Sequence, residues 1–364
     1  QLWYLPLAIR ATTDDGSKES FFALTQSEQS FYIGENISSL VLNADGKGFY
    51  RVSYSNDLRE QLLLHLPELS NSERFNLVSD LWAATQAGDL SLAGYFDALK
   101  RIMPTESDSN VCSVVLSSIA YLRRICAAGN PQKFSDFIGL SKGLLEPALN
   151  RLGWEAKAGE TPQEAELRSS LISTLGTLGD PEVRNKVKEL WAKYLADRSS
   201  VSTNLLPALV DTTAAHGDAA CYEEFIKLKV SASTPQEETR FLFALASFRK
   251  LDLIERTLDA TLNGTIRVQD GPQMVRALFL NPAGGLATWS FVRKNWKQLV
   301  AAFPLQGIIR LCEGITGLVN PELEPELKDF FAANNIKGNE KALAQNMETL
   351  AIANRFLVRE RSFF

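Results

Sequence analysis

Residues 42–54, Leu-Asn-Ala-Asp-Gly-Lys-Gly-Phe-Tyr-Arg-Val-Ser-Tyr, divide two kinds of sequence. Before them, apolar residues come in short β-type runs. After them, apolar residues recur at helical spacing as far as the C-terminus. Within the stretch, Asn43-Ala44-Asp45-Gly46-Lys47-Gly48 is turn chemistry, with glycine free to take positive φ. Phe49-Tyr50-Arg51-Val52-Ser53-Tyr54 then predicts a strand rich in aromatic and β-branched residues. Asp57 stands where it can cap the first helix. A chain divided in this way is predicted to be mainly α. Residues 1–56 form a small β-sandwich, and residues 57–364 form an α-solenoid of HEAT- or armadillo-like helix hairpins.

Residues 3–9 read as a strand in which Pro6 marks an edge position or a bulge. Residues 21–24, 30–33 and 40–42 are further strand candidates, closely spaced as in a sandwich. About fifty residues is small for an independent domain, so this layer is expected to lean on its neighbours.

Beyond residue 57 the signals are helix starts and stops. Ser70-Asn71-Ser72-Glu73 is a capping box. The helix behind it carries a stripe of Phe75, Val78, Leu81 and Trp82 and stops at Gly88. Residues 91–102 follow, closed by Pro104, and residues 109–128 are apolar enough to be a buried helix. Residues 131–152 are predicted as two short helices broken between Gly139 and Gly143. Thr161-Pro162-Gln163-Glu164 and Thr234-Pro235-Gln236-Glu237 repeat one helix start with proline at its first position, and Asp180-Pro181-Glu182 is a third start. Later helices are predicted at 207–216, 219–231, 237–248, 251–262, 272–279, 284–302, 305–314, 322–334 and 340–361. Some sixteen helices joined by short turns point to a superhelical array rather than a compact bundle.

Several chemistries are excluded. With 38 basic and 43 acidic residues the net charge is −5, and no basic run exists to neutralise phosphates, so nucleic acid is not an expected partner. No apolar run reaches bilayer-spanning length, so no membrane segment is expected in this chain. Cys112, Cys126, Cys221 and Cys312 lie inside helical runs and read as small buried thiols; a Cys112–Cys126 disulfide would require that run to bend. Few cysteines fit a cytoplasm without demanding one. His65 and His216 are the two histidines, and neither is followed by glutamate, so H-E-x-x-H is absent. Both sit at predicted helix C-termini, where an imidazolium is favoured. Glu223-Glu224, Glu237-Glu238 and Glu322/Glu324/Glu326 read as solvated faces or helix starts.

Seven further segments, taken with the dividing stretch, carry a resemblance. Gly48-Phe49-Tyr50-Arg51-Val52 with Tyr54 resembles the G-[FY]-Y-R-V-x-Y strand of aminopeptidase N-like zinc metallopeptidases, which include the puromycin-sensitive and endoplasmic-reticulum aminopeptidases. Trp3…Pro6-Leu7 resembles the strand that opens the family's small β-domain, and Leu69-Ser70…Arg74…Asp80 with Ala87-Gly88, Leu152-Gly153-Trp154 and Gly179-Asp180-Pro181 resemble later motifs of that family. So do Ile266-Arg267-Val268-Gln269-Asp270, Asn281…Gly284…Trp289-Ser290-Phe291…Asn295-Trp296 and Glu348…Asn354-Arg355-Phe356-Leu357. Glu73 and Phe356 replace the family's commoner Asp and Trp.

The resemblance implies the C-terminal half of such an enzyme: the end of its small β-sandwich and the helical domain that covers the active site. Zinc and its ligands would belong to a catalytic domain of the same polypeptide, outside this chain, and the substrate would be a peptide that loses its N-terminal residue. The start at Gln1 rather than Met fits a chain cut from something longer. The alternative is a free-standing α-solenoid adaptor that binds a protein on its concave face, and the sequence upstream of Gln1 separates the two.

Gly48, Tyr50, Arg51, Asp80, Asp270, Trp289 and Trp296 are expected to be structural within this resemblance. Arg51, mid-strand and half-buried, needs a carboxylate, for which Asp80 is a candidate. Asp270 is expected to cap the helix that follows it. In an extended 266–270 segment, Ile266 and Val268 would face the core, leaving Arg267 and Gln269 to meet a peptide.

Overall fold

The computed structural model describes residues 3–126 and 131–363. It divides into two compact units, Gln1–Ser118 and Ile119–Phe364.

In the first unit, β1 (Leu5–Thr13) turns through Asp14-Asp15 into β2 (Gly16–Leu24), and β3 (Ser39–Val41) pairs with the far end of β1. The sheet is antiparallel in the order β2-β1-β3. Gly16 takes φ +116°, which the tight turn requires. Pro6 lies where β1 is paired on one side only, opposite Ala23, so its missing N–H costs no second ladder bond. Ile9, Ala11 and Leu40 are buried together, with Leu7, Phe22 and Ile33 packed against them.

The expected sandwich is therefore, among the described residues, one three-stranded sheet. Residues 30–33 are irregular, and the strand expected over 49–54 does not form. Side chains take the bonds that a ladder would have used. Tyr50 Oη donates to Leu42 O at 2.7 Å, and Leu42 N donates to Tyr54 Oη at 2.9 Å, so both polar groups of Leu42 are spent on tyrosines. Val52 N donates to Asp80 Oδ2 at 3.1 Å.

Four helices follow: α1 (Asn56–Leu64), α2 (Asn71–Ala87), α3 (Leu92–Ile102) and α4 (Ser109–Cys126). The capping box before α2 forms as predicted, and Gly88 ends that helix at φ +101°. Glu73 does more than cap. It is buried and accepts from Arg10 Nη2 at 2.6 Å, Asp45 N at 3.0 Å and Ser70 N at 2.9 Å. Asp57 is not the cap of α1; Ser55 holds that position without a side-chain bond, and Asp57 sits in the first turn. Phe75 is exposed, and the buried face of α2 runs instead through Leu77, Val78, Leu81 and Thr85. The end of the helix predicted to residue 128 lies outside the described residues.

The second unit, beyond the end of α4, contains α5 (Pro131–Leu152), α6 (Pro162–Leu178), α7 (Pro181–Ala196), α8 (Leu206–His216), α9 (Ala219–Val230) and α10 (Pro235–Ala244). It continues with α11 (Leu251–Ala260), α12 (Gly271–Leu280), α13 (Gly285–Ala302), α14 (Leu305–Glu313), α15 (Glu324–Ala333) and α16 (Glu340–Arg359). Among the described residues the chain has sixteen α-helices and is mainly helical.

The break expected at Gly139–Gly143 is absent, and α5 is continuous. A Cβ on either glycine would meet nothing, so both face outward, while Phe137, Leu144, Leu145, Ala148 and Leu149 are buried on the other side. Burial of that stripe offsets the ~1 kcal/mol that each glycine costs a helix. Thr161 caps α6 in a full capping box. Thr234 caps α10, but Glu237 turns to Ser233 N at 2.8 Å and Arg198 Nη1 at 2.9 Å, making it a buried bridge rather than a solvated face. The four cysteines are free, and Cys112 and Cys126 stand on the same continuous helix.

Candidate functional site

The dividing stretch is built by side chains. Gly48 N donates to Asn43 Oδ1 at 2.8 Å, and Asn43 Nδ2 returns a bond to Gly48 O at 3.0 Å, which closes the turn. A Cβ on Gly48 would overlap the Tyr50 ring. Arg51 reaches Asp80 Oδ1 at 3.0 Å and Ser79 Oγ at 3.0 Å. The guanidinium is nevertheless 63% exposed, whereas Asp80 is buried, so the carboxylate is the enclosed member of the pair. Burial raises the Asp80 pKa above the usual carboxylate range, against the Val52 and Arg51 bonds that lower it.

Residues 266–270 are a turn, not an extended segment: Asp270 N and Gly271 N both donate to Arg267 O, at 2.9 and 3.0 Å. Ile266 is buried but Val268 is 51% exposed, so the two do not share the core. Asp270 precedes α12 with helical φ and makes no side-chain cap. Its carboxylate takes Arg267 Nε at 2.9 Å instead, and Glu238 lies 3.8 Å from the same guanidinium. Gln269 is exposed. Arg267 and Gln269 are thus at the surface, with the charge of Arg267 already shared by two carboxylates.

Trp289 and Trp296 lie on one face of α13, two turns apart, and both pack on Phe330 and Phe331 of α15. Trp289 Nε1 donates to Glu326 Oε1 at 2.8 Å. The pair joins two helices and touches no cleft described below.

The strongest constellation in the second unit joins residues that no sequence motif connects. A cleft of about 240 Å3 in the second unit is bordered by Arg123, Thr177, Asp211, Phe243, Arg249 and Asn281. Arg123 comes from the last turn of α4, Asp211 from α8, and Arg249 from the connection into α11. Both guanidinium groups converge on Thr177 of α6. Arg123 Nη1 donates to its Oγ1, and Arg249 Nη2 to its carbonyl, at 2.6 Å. Asp211 Oδ2 accepts from Ser173 Oγ at 2.9 Å.

Among the described residues neither arginine stands in an ion pair, and the buried Arg123 Nε has no partner. Burial pulls the Arg123 pKa down to about 10, the Arg249 and Arg124 charges pull the same way, and the Asp211 carboxylate opposes them. Burial likewise lowers Arg249 and raises Asp211. Two poorly hydrated cations with a single nearby carboxylate, Asp211, are left short of counter-charge, and an incoming anion recovers part of that cost. One sequence signal exists: Arg123-Arg124 closes a helix that carries no other charged residue.

Residues 39–352 match the family described as the ERAP1-like C-terminal domain, and the chain belongs to that family. Aminopeptidase M1-B of rice is 28% identical over 341 residues, which are 90% of this chain and 38% of that protein. The mitochondrial aminopeptidase 2 of Saccharomyces cerevisiae is 24% identical over 88% of this chain and 34% of its own length. Aminopeptidase 2 of Candida albicans is 23% identical over 98% and 39%. The chain thus corresponds to well under half the length of the relatives it resembles, and to their C-terminal part. No described helix is long and apolar enough to cross a membrane.

Proposed function

We propose that this chain is the C-terminal part of a zinc-dependent aminopeptidase that removes N-terminal residues from peptides. In this reading it caps the active site of a catalytic domain in the same polypeptide and shapes the peptide-binding cavity. It contributes no catalytic residue. Family membership and three relatives named as aminopeptidases support the class. The described residues do not fit a zinc site: they hold no group of three or more His, Cys, Asp or Glu able to bind a metal. No chemical step is therefore assigned to them.

Helices of the second unit pack both on the next helix, as α5 on α6, α7 on α8 and α9 on α10, and on the next but one, as α6 on α8, α12 on α14 and α14 on α16. That pattern supports stacked hairpins, the arrangement that suits a concave cover.

The observation that carries the reading is the pair of under-compensated guanidinium groups, Arg123 and Arg249, facing a cleft. They can hold a peptide's carboxylate or backbone carbonyls at a distance from the bond being cut. Arg267 and Gln269 remain secondary contacts for longer peptides, with less free charge to offer. The test is kinetic and uses the full-length protein. Arg123→Gln with Arg249→Gln should raise KM for peptides of about eight or more residues and leave single-residue anilides unchanged, since only long substrates reach the cleft. Equal effects on both substrate lengths, or none on either, would refute it.

A further inference from the structure

A second cleft of the same unit, about 450 Å3, is bordered by Arg184, Lys188, Thr212, His216, Asp218 and Cys221. Arg184 and Lys188 stand four residues apart on α7, hence on one face and one turn apart. Like charges so placed repel, and helices ordinarily offset them with carboxylates. The neighbouring charges on α7 are offset in that way: Glu182 holds Lys142 at 2.5 Å, and Lys186 holds Glu189 at 3.2 Å. Among the described residues Arg184 and Lys188 have no such partner, and both are exposed to the cleft.

His216 closes α8 beside them. Its Nε2 donates to Gly176 O at 2.9 Å, which leaves Nδ1 as the bare acceptor of a neutral ring. Burial holds its pKa below the ordinary value. The Gly176 bond opposes burial, and the charges of Arg184, Arg249 and Arg123 reinforce it. From the start of α9 the ring is faced by Asp218, whose Oδ1 is occupied by Cys221 N at 3.0 Å, and by the Cys221 thiol, which burial pushes up to about 12 and so keeps protonated. Among the described residues Thr212 Oγ1, buried at the cleft, has no partner.

We propose that this cleft binds a phosphate monoester, with Arg184 and Lys188 as its charge partners and His216 as a third donor that takes a proton from solvent onto Nδ1 as the anion enters. A carboxylate needs one guanidinium fork, whereas a phosphate dianion brings three terminal oxygens and a charge near two. Two fixed cations and one imidazole that protonates on demand outweigh the one carboxylate of the cleft, Asp218, whose Oδ1 is already bound to Cys221 N. The site is separate from the peptide cleft proposed above and does not depend on it.

The experiment titrates methyl phosphate and inorganic phosphate into the intact chain and follows the His216 ring by NMR against pH. Saturating phosphate should raise the His216 midpoint by about one unit, equivalent to about tenfold tighter binding by the imidazolium form. Arg184→Gln with Lys188→Gln should weaken both phosphates by at least about tenfold. Lys186→Gln, whose partner is Glu189, should change nothing. Equal binding by the double variant, an unmoved His216 midpoint, or acetate competing as well as methyl phosphate would each overturn the proposal. All the substituted side chains are exposed, so loss of folding does not confuse the result.

Discussion

Asp80, not Arg51, should be the residue on which the dividing stretch depends. Its carboxylate serves two donors, Arg51 Nη1 at 3.0 Å and Val52 N at 3.1 Å. An ion pair whose cation is 63% exposed contributes about 0–1 kcal/mol. A backbone N–H bonded to a carboxylate contributes about 1.5–3 kcal/mol. Burial of the charge takes part of that back. Asp80→Ala should therefore cost about 1–3 kcal/mol, and Arg51→Ala less than about 1 kcal/mol. Urea denaturation of each variant and of the double variant measures both values and their coupling. The pH dependence adds a signed check. Because the folded pKa of Asp80 is raised, its contribution is fully present below the unfolded carboxylate pKa and is lost as pH rises through the folded value. Asp80→Asn should remove that slope. An Arg51→Ala variant as unstable as Asp80→Ala would refute the reasoning.

Three further outcomes are expected. Glu73→Ala strands three donors around a buried site and should cost about 3 kcal/mol or more in chemical denaturation. Gly48→Ala forces the Tyr50 ring away from Leu42 O and should cost about 1–3 kcal/mol, with a changed tyrosine signal in near-ultraviolet circular dichroism. His216 has a lowered pKa in the folded chain, so the stability it supplies is present above its unfolded pKa and is lost as pH falls towards the folded one. Melting followed from pH 7 downward should show this loss, and His216→Gln should flatten it.

The helices were legible because their ends are written in local chemistry. The Ser70 and Thr161 boxes, the Asp180 cap and the αL glycines at 88 and 179 all act within one turn. Where the sequence misled, longer-range bonds had taken over. Tyr50 and Tyr54 reach back to Leu42 and leave residues 49–54 without a ladder. Arg267 binds Asp270 and curls what alternation suggested was extended. Burial on one face carries α5 through two glycines. The position of His216 at a helix end suggests an imidazolium favouring its own helix. The ring instead caps the last turn of α6 in its neutral form. The cleft of Arg123, Asp211 and Arg249 draws on three distant elements, and no spacing rule connects them. Family motifs did not mark it either: Arg123, Asp211 and Arg249 lie outside every segment that carried the resemblance, while the bordering Asn281 falls inside one.

The central claim, that this chain belongs to an enzyme that trims peptides from the N-terminus, is tested most directly by product analysis. The full-length protein, incubated with a peptide of about ten residues, should release N-terminal residues one after another. A zinc chelator should abolish that release, and added zinc should restore it. A full-length protein that leaves the peptide intact, or one whose trimming persists in chelator, would contradict the account.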